Sequence, residues 1–205
     1  MSIGVGDAYP VHVSAQKPER FQRIQVLLRL GIWFVLGWLS QIGLGILFFA
    51  GPIVSAALIT QKGGSEFHKQ HGETYTKVVR FLTQLQGYLL LGTDTIPSWD
   101  KPGPIRYSCT FTGEPTIGSA LLRFILVIPH AIVLTLVGFG ALVLALVAAI
   151  MVLINESVGN GIWKFQMGVV AWQARVLSYY LSLVDEYPPF SLTLDDFDET
   201  NEAGR

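Results

Sequence analysis

The stretch from Leu121 to Ile154, LLRFILVIPHAIVLTLVGFGALVLALVAAIMVLI, constrains this chain most, because only Arg123, His130 and Thr135 in it are conspicuously polar. The core helix of a soluble domain returns a polar face about every 3.6 residues, and the second half of this run has none. Its expected solvent is lipid. A mean hydropathy of +0.46 with 14% charged residues points the same way, since a water-facing surface carries more charge.

A second apolar run, Leu27 to Thr60, follows a polar leader holding Lys17, Arg20 and Arg23. No secretory signal is expected, because the run continues far beyond the roughly 7 to 15 residues of a signal core and no small-residue cleavage pattern interrupts it. As one straight helix it would measure about 51 Å, whereas a hydrocarbon core of about 30 Å needs only about 20 residues. The excess is expected as tilt, a kink near Gly51 and Pro52, a projecting end, or a hairpin near Ser40 and Gln41.

Between and around these runs lie shorter elements. Tyr9 to Ser14 alternates in polarity and predicts a strand outside the bilayer, and Ile105 to Phe111 predicts a second. Gln61 to Gly72 reads as a polar connection, with a helix following over Glu73 to Thr93. In that helix Glu73, Lys77, Arg80, Gln84 and Gly87 step alternately by four and three, which places them on one stripe. A last helix is expected over Ile162 to Val184. From Thr193 the chain is acidic and expected to be frayed, with Asp195, Asp196, Asp198 and Glu199 solvated.

The chain also repeats itself. At an offset of 94, Leu27-Leu28-Arg29 pairs with Leu121-Leu122-Arg123, and Pro10-Val11 with Pro104-Ile105. Farther on, at an offset of 91, Phe81 pairs with Trp172, Tyr88 with Tyr179, Asp94 with Asp185 and Pro97 with Pro188; Lys164, Gly168, Ala171, Arg175 and Ser178 fall opposite the stripe. Shared leucines alone would not reproduce the order strand, long apolar helix, turn, striped helix, Asp-x-x-Pro.

The C-terminal pieces Trp172-Gln-Ala-Arg-Val-Leu-Ser-Tyr-Tyr180 and Asp185-Glu-Tyr-Pro-Pro-Phe-Ser-Leu192, with Ile128-Pro-His130, resemble the bacterial membrane-protein family catalogued as domain of unknown function 4389. The resemblance covers most of residues 10 to 195, and residues 18 to 99 look like the shorter, single-unit members. It implies membrane residence and no established activity. The first unit departs from the second where Gln84 stands for Arg175, and where Ile96-Pro97-Ser98-Trp99 stands for Tyr187-Pro188-Pro189-Phe190.

Chemistry-bearing residues are few. His68 and His71 with Glu66 and Glu73 are the nearest thing to a metal cluster, but an i, i+3 pair in a loop among glycines is poor ligand geometry, and no metal is expected. Nucleophile elbow, phosphate loop and dinucleotide fingerprint are missing from the sequence, so neither a catalytic residue nor a cofactor is expected. Arg29, Arg123 and His130 lie within about three turns of a helix start and are expected to reach the headgroups. Arg175 has three readings: a headgroup anchor, a partner for Asp185 or a backbone carbonyl, or a ligand contact. The residues expected to meet lipid, a partner or a ligand are Lys77, Arg80, Gln84, Lys164, Trp172, Arg175 and Tyr179.

The expectation is a mainly α integral membrane protein of two tandem units, residues 1–99 and 100–192, with an acidic tail over 193–205. Each unit holds a short β-strand, a long transmembrane helix and an amphipathic helix; the two strands can pair outside the bilayer if each unit crosses an even number of times. Two to six crossings are compatible with the sequence. Lys17, Arg20, Arg23, Lys101 and Arg106 outnumber Lys62 and Lys69, which places strands and termini on the cytoplasmic side of the inner membrane. Lys plus Arg (14) nearly balance Asp plus Glu (15), so there is no basic field for nucleic acid. The expected function is a non-catalytic scaffold or accessory subunit that binds lipid, other membrane proteins or itself. The alternative is a small transporter or channel lined by Lys77, Arg80, Gln84, Lys164 and Arg175.

Overall fold

A computed structural model describes residues 9–101 and 103–196, apart from the side chains at 34–50, 52, 61, 62 and 65. Its elements are β1 (Val11–Ala15), α1 (Arg23–Lys62), α2 (Gly64–Leu89), β2 (Ile105–Cys109), α3 (Ile117–Leu126), α4 (Ile128–Asn155) and α5 (Asn160–Tyr180). Asp198 and Glu199 lie outside the described residues.

Both expected strands form, and they pair antiparallel with Val11 opposite Cys109, Val13 opposite Tyr107 and Ala15 opposite Ile105. Period-two alternation puts Val11, Val13, Ile105 and Tyr107 on the buried face. Asp195 then closes the open edge of β1: the Val13 N–H donates to its Oδ2 at 2.7 Å, and its own N–H donates to the Val13 carbonyl at 3.0 Å. Asp195 is therefore no solvated tail residue. An unpaired strand edge needs an acceptor, and this carboxylate supplies it.

Helix α1 runs unbroken for 40 residues, about 60 Å, through Gly51 and Pro52 and without a hairpin at Ser40 and Gln41. The Leu121 to Ile154 run, expected as one helix, instead divides at Val127. Pro129 sits at the start of α4; lacking an N–H, it leaves the Ile125 carbonyl without its intrahelical donor. Upstream, a capping box starts α3, with Ser119 N–H donating to Thr116 Oγ1 at 3.1 Å and Thr116 N–H to Ser119 Oγ at 2.9 Å. The polar connection expected over Gln61 to Gly72 shrinks to a single residue. Gly63, at φ 83°, turns the chain by itself, and α2 begins at once.

The elements stack in three layers. Helices α2 and α5 lie side by side in the middle, with β2 and β1 against one side of them and α1 and α4 against the other. Most of α5 is consequently buried. Helix α4 seats Ala141, Ala145, Ala148 and Val152 in one cluster with Trp163, Met167 and Val170 of α5; small residues at steps of four, three and four let the two backbones approach closely. The opposite side of α4, with Leu136, Phe139, Leu146 and Ile150, is open.

The long helices run antiparallel. The end of α1 and start of α2 meet the start of α3, where Ala56, Ile59, Phe67 and Ala120 cluster and Gly64 packs on the Pro115 carbonyl. At the other end, the Phe21 N–H donates to the Glu156 carbonyl at 2.8 Å, and Arg20 and Arg23 pair with the Glu156 carboxylate. The turn after α1 and the connection into α3 thus share one end of the molecule. Antiparallel strand pairing reverses the second half of the chain relative to the first, and that reversal brings them together.

Candidate functional site

Arg29 in α1 and Arg123 in α3 are each only 2% exposed, a position that costs several kcal/mol for a guanidinium left unpaired. Arg29 donates through Nε to the Tyr88 carbonyl (2.8 Å) and through Nη2 to the Thr93 carbonyl (2.5 Å) and Asp94 Oδ1 (2.7 Å), with the Tyr88 ring centre 4.5 Å from its guanidinium carbon. Arg123 donates through Nη1 to the Tyr179 (2.9 Å) and Val184 (2.7 Å) carbonyls and through Nη2 to Asp185 Oδ1 (2.5 Å), with the Tyr179 ring centre at 4.8 Å. Each arginine gathers one carbonyl from the last turn of α2 or α5, which also accepts from a backbone N–H three residues on, and one carbonyl from the segment just beyond the helix. Both helix ends also close alike. Leu91 and Ser182 adopt φ of 57° and 62°, and Gly92 N–H reaches the Gly87 carbonyl (2.8 Å) as Leu183 N–H reaches that of Ser178 (3.0 Å).

These arginines correct the expectation that they reach for headgroups. The signal was present in the sequence: Arg, Tyr and Asp recur together at 29, 88 and 94 and at 123, 179 and 185. What the one-dimensional reading lacked was the inward direction of the side chains.

The seven expected contact residues separate into two sets. In α2, exposed Lys77 pairs with Glu73 at 2.8 Å, Arg80 Nη2 donates to the Trp99 carbonyl at 2.7 Å, and buried Gln84 lies 3.5 Å from both the Ile105 carbonyl and the Ser98 N–H. In α5, Lys164 is exposed and Trp172, Arg175 and Tyr179 are buried. Arg175 donates to the Thr193 carbonyl (2.7 Å) and the Ser191 carbonyl (3.4 Å), with Asp195 at 3.9 Å. Of its three readings the backbone-carbonyl one holds, and Asp185 belongs to Arg123. Among the described residues no hydrogen bond or ion pair joins the α2 set to the α5 set; the helices meet instead through Gln86 Nε2 donating to Gln173 Oε1.

Around Trp172 an aromatic group forms that sequence reasoning missed as a unit. Its indole Nε1–H donates to His130 Nδ1 at 3.1 Å, and His130 stacks on Phe190 with ring centres 3.9 Å apart and planes at 15°. Tyr187 packs against His130 (4.9 Å) and Tyr179 (5.6 Å). The first half of the chain keeps a reduced version, Phe81 stacked on Trp99 at 4.2 Å. There Gln84 stands at the register position of Arg175, and beside it opens a cleft of about 130 Å³ lined by Thr93, Ile96, Pro97, Gly103 and Ile105. That is small beside the roughly 300 to 1,000 Å³ of a ligand pocket.

Residues 118–191 match the family model described as Domain of unknown function (DUF4389). The matched segment contains Arg123, His130, Trp172, Arg175, Tyr179 and Asp185, and so both the second arginine clamp and the full aromatic group. No curated protein and no solved structure matches the chain.

The matched segment also buries charge, at Arg123 and Arg175. Its buried cations are satisfied by carbonyls and carboxylates, and burial pushes the Cys109 thiol up to about 11, away from the reactive thiolate. Among the described residues no three His, Cys, Asp or Glu side chains converge as metal ligands. His68 and His71, expected in a loop, are on α2; His68 Nε2 lies 2.9 Å from the Ser182 carbonyl and its ring stacks on Phe111 at 5.3 Å, while His71 packs against Phe67.

Proposed function

We propose that this chain is an integral membrane protein of two repeated units that serves as a non-catalytic scaffold or accessory subunit, binding lipid and other membrane proteins through its long helices. One observation carries the reading. Helix α4 is long and apolar enough to cross a membrane, yet only 22% of its most apolar window is buried within the protein. A soluble core helix of that composition would be largely covered, so the open face calls for a hydrocarbon solvent. The repeated clamps at Arg29 and Arg123 support two units, and the resemblance to a bacterial membrane-protein family supports residence in an inner membrane.

A transport path between α2 and α5 has less behind it. Arg80 through Nη2, Gln84 and Arg175 donate to the segments that follow their own helices, and among the described residues no hydrogen bond joins these groups into a continuous polar lining. The test is alkaline carbonate extraction of membranes from cells expressing the chain, followed by purification in mild detergent and identification of what travels with it. Retention in the pellet, release by detergent and a stoichiometric lipid or protein companion are the expected outcome. Release by carbonate alone would sink the membrane reading, and selective liposome flux abolished by Arg175→Ala would sink the scaffold.

A further inference from the structure

We propose that the long helices lie in the plane of one membrane leaflet, with the strand pair facing water, and do not cross the bilayer. The inference rests on the membrane reading above and concerns the geometry of insertion. Three observations lead to it.

Length comes first. Exposed apolar side chains follow one stripe along α4, through Ile132, Phe139, Leu146 and Ile150, and this helix of 28 residues measures about 42 Å. Helix α1, alongside, measures about 60 Å and exposes Ile24, Leu27, Leu30 and Trp33 near one end and Ile53 and Val54 near the other. Fitting their full lengths into a hydrocarbon core of about 30 Å would need tilts of about 45° for α4 and about 60° for α1, outside the roughly 0 to 40° that spanning helices adopt. A helix lying in the plane has no such limit.

Charge placement comes second. Midway along α2 the Glu73 and Lys77 side chains are 81% and 51% exposed, and beside the middle of the strand pair those of His12 and Asp195 are 45% and 38% exposed. The strand pair packs on the middle of α2 and α5, through Val79, Ala171 and Trp172. Upright helices would hold all four polar groups at the depth of the acyl chains, where exposed charge is heavily penalised. Flat helices put them in water.

The third observation is the layering itself. Strand pair, α2 with α5, and long helices follow one another along a single direction, and the open stripe of α4 is opposite its alanine face toward α5. Most of the exposed large apolar side chains are on the long helices and the exposed Glu73, Lys77, His12 and Asp195 are on α2 and beside the strand pair, as for a body floating at an interface with its apolar face about 5 to 10 Å deep.

The full chain bearing Cys109→Ala, with single substitutions Ile132→Cys, Phe139→Cys, Leu146→Cys or Ile150→Cys, is spin-labelled and reconstituted into phosphatidylcholine–phosphatidylglycerol vesicles, and label depth is read by power saturation. The in-plane arrangement gives four equal, shallow depths. A depth that changes progressively along these positions, which span about 27 Å of helix, overturns it, as does shielding of all four from oxygen by a second copy. In spheroplasts, a membrane-impermeant maleimide should label both Glu19→Cys and Lys69→Cys, near opposite ends of the long helices, or neither of them until the membrane is permeabilised; labelling of one with protection of the other overturns the proposal. Carbonate extraction of the same variants keeps the two readings apart. Full release would mean that the membrane reading has failed, and this geometry with it, whereas retention with opposite-sided labelling would sink the geometry alone.

Discussion

Val13 and Tyr107 face each other across the strand pair, and they are also counterparts at the offset of 94 that relates Arg29 to Arg123. A residue paired with its own counterpart marks a local two-fold axis. The neighbouring pairs obey it, since the offset carries Val11 opposite Cys109 onto Ile105 opposite Ala15. The same offset relates Arg29 to Arg123, and their clamps use like partners: a tyrosine ring and carbonyl, a carbonyl beyond the helix end and an aspartate.

If the clamps are equivalent, Arg29→Lys and Arg123→Lys should destabilise alike. A lysine keeps the charge but loses the planar fork that reaches three acceptors at once, and carbonyls left unpaired in the interior should make each variant about 2 to 4 kcal/mol less stable. Asp185→Asn should do less, because the Asp185 side chain is 56% exposed and water screens its share. Thermal melting in mild detergent reads all three. A large loss at one arginine with none at the other would break the two-fold reading.

The left-handed residues that end α2 and α5 should respond oppositely to glycine. Ser182 is 1% exposed, and its buried hydroxyl has no partner among the described residues. Ser182→Gly relieves about 1 kcal/mol of backbone strain and removes an unsatisfied group costing about 1 to 3 kcal/mol, against about 0.5 to 1 kcal/mol of chain entropy. Its melting temperature should rise. Leu91→Gly gains the same relief but gives up a buried leucine worth about 1.5 to 3 kcal/mol, so its melting temperature should fall.

Cys109 should be a slow thiol. With its pKa pushed up to about 11 from 9.0 by burial, its thiolate fraction at pH 8 is about a hundredfold below that of an ordinary thiol. The folded state favours the neutral form, so this group's contribution to stability is intact below pH 9 and declines as pH climbs toward 11. Iodoacetamide labelling followed by mass spectrometry across pH 7 to 11.5 should give a late rise that moves to ordinary values in denaturant. An ordinary profile in the native protein would contradict this burial.

Much of the architecture was legible because its causes are local. Alternation revealed both strands, the missing polar face revealed α4, and the repeated Arg, Tyr and Asp pointed at the clamps. What stayed hidden depended on direction or on partners distant in sequence. Arg29 and Arg123 near helix starts carry the same one-dimensional signal whether they snorkel outward or turn in to a neighbouring helix end. Asp195 resembled an acidic tail until the open edge of β1 gave it a partner. Polar residues in α2 marked its stripe, but a periodic pattern cannot say that Gln84 and Arg175 each fasten the segment after their own helix.

The contact between Trp172 and His130 should prove cooperative. The indole N–H donates to Nδ1 at 3.1 Å with both side chains buried, which leaves the imidazole proton of the neutral ring on Nε2. Trp172→Phe strips the donor and leaves a buried acceptor unmatched, an expected loss of about 1 to 3 kcal/mol. His130→Leu alone strands the indole N–H and breaks the stack on Phe190, with a similar loss. Removing both polar partners together leaves neither group unmatched, so the double variant should be at least 1 kcal/mol milder than the two single losses added. The segment from Asp185 to Asp195 is pinned by this group through Tyr187 and Phe190, and limited proteolysis should cut it sooner in either single variant. Simple additivity in the melting data, with the segment no easier to cut, would mean that the pair acts as generic packing.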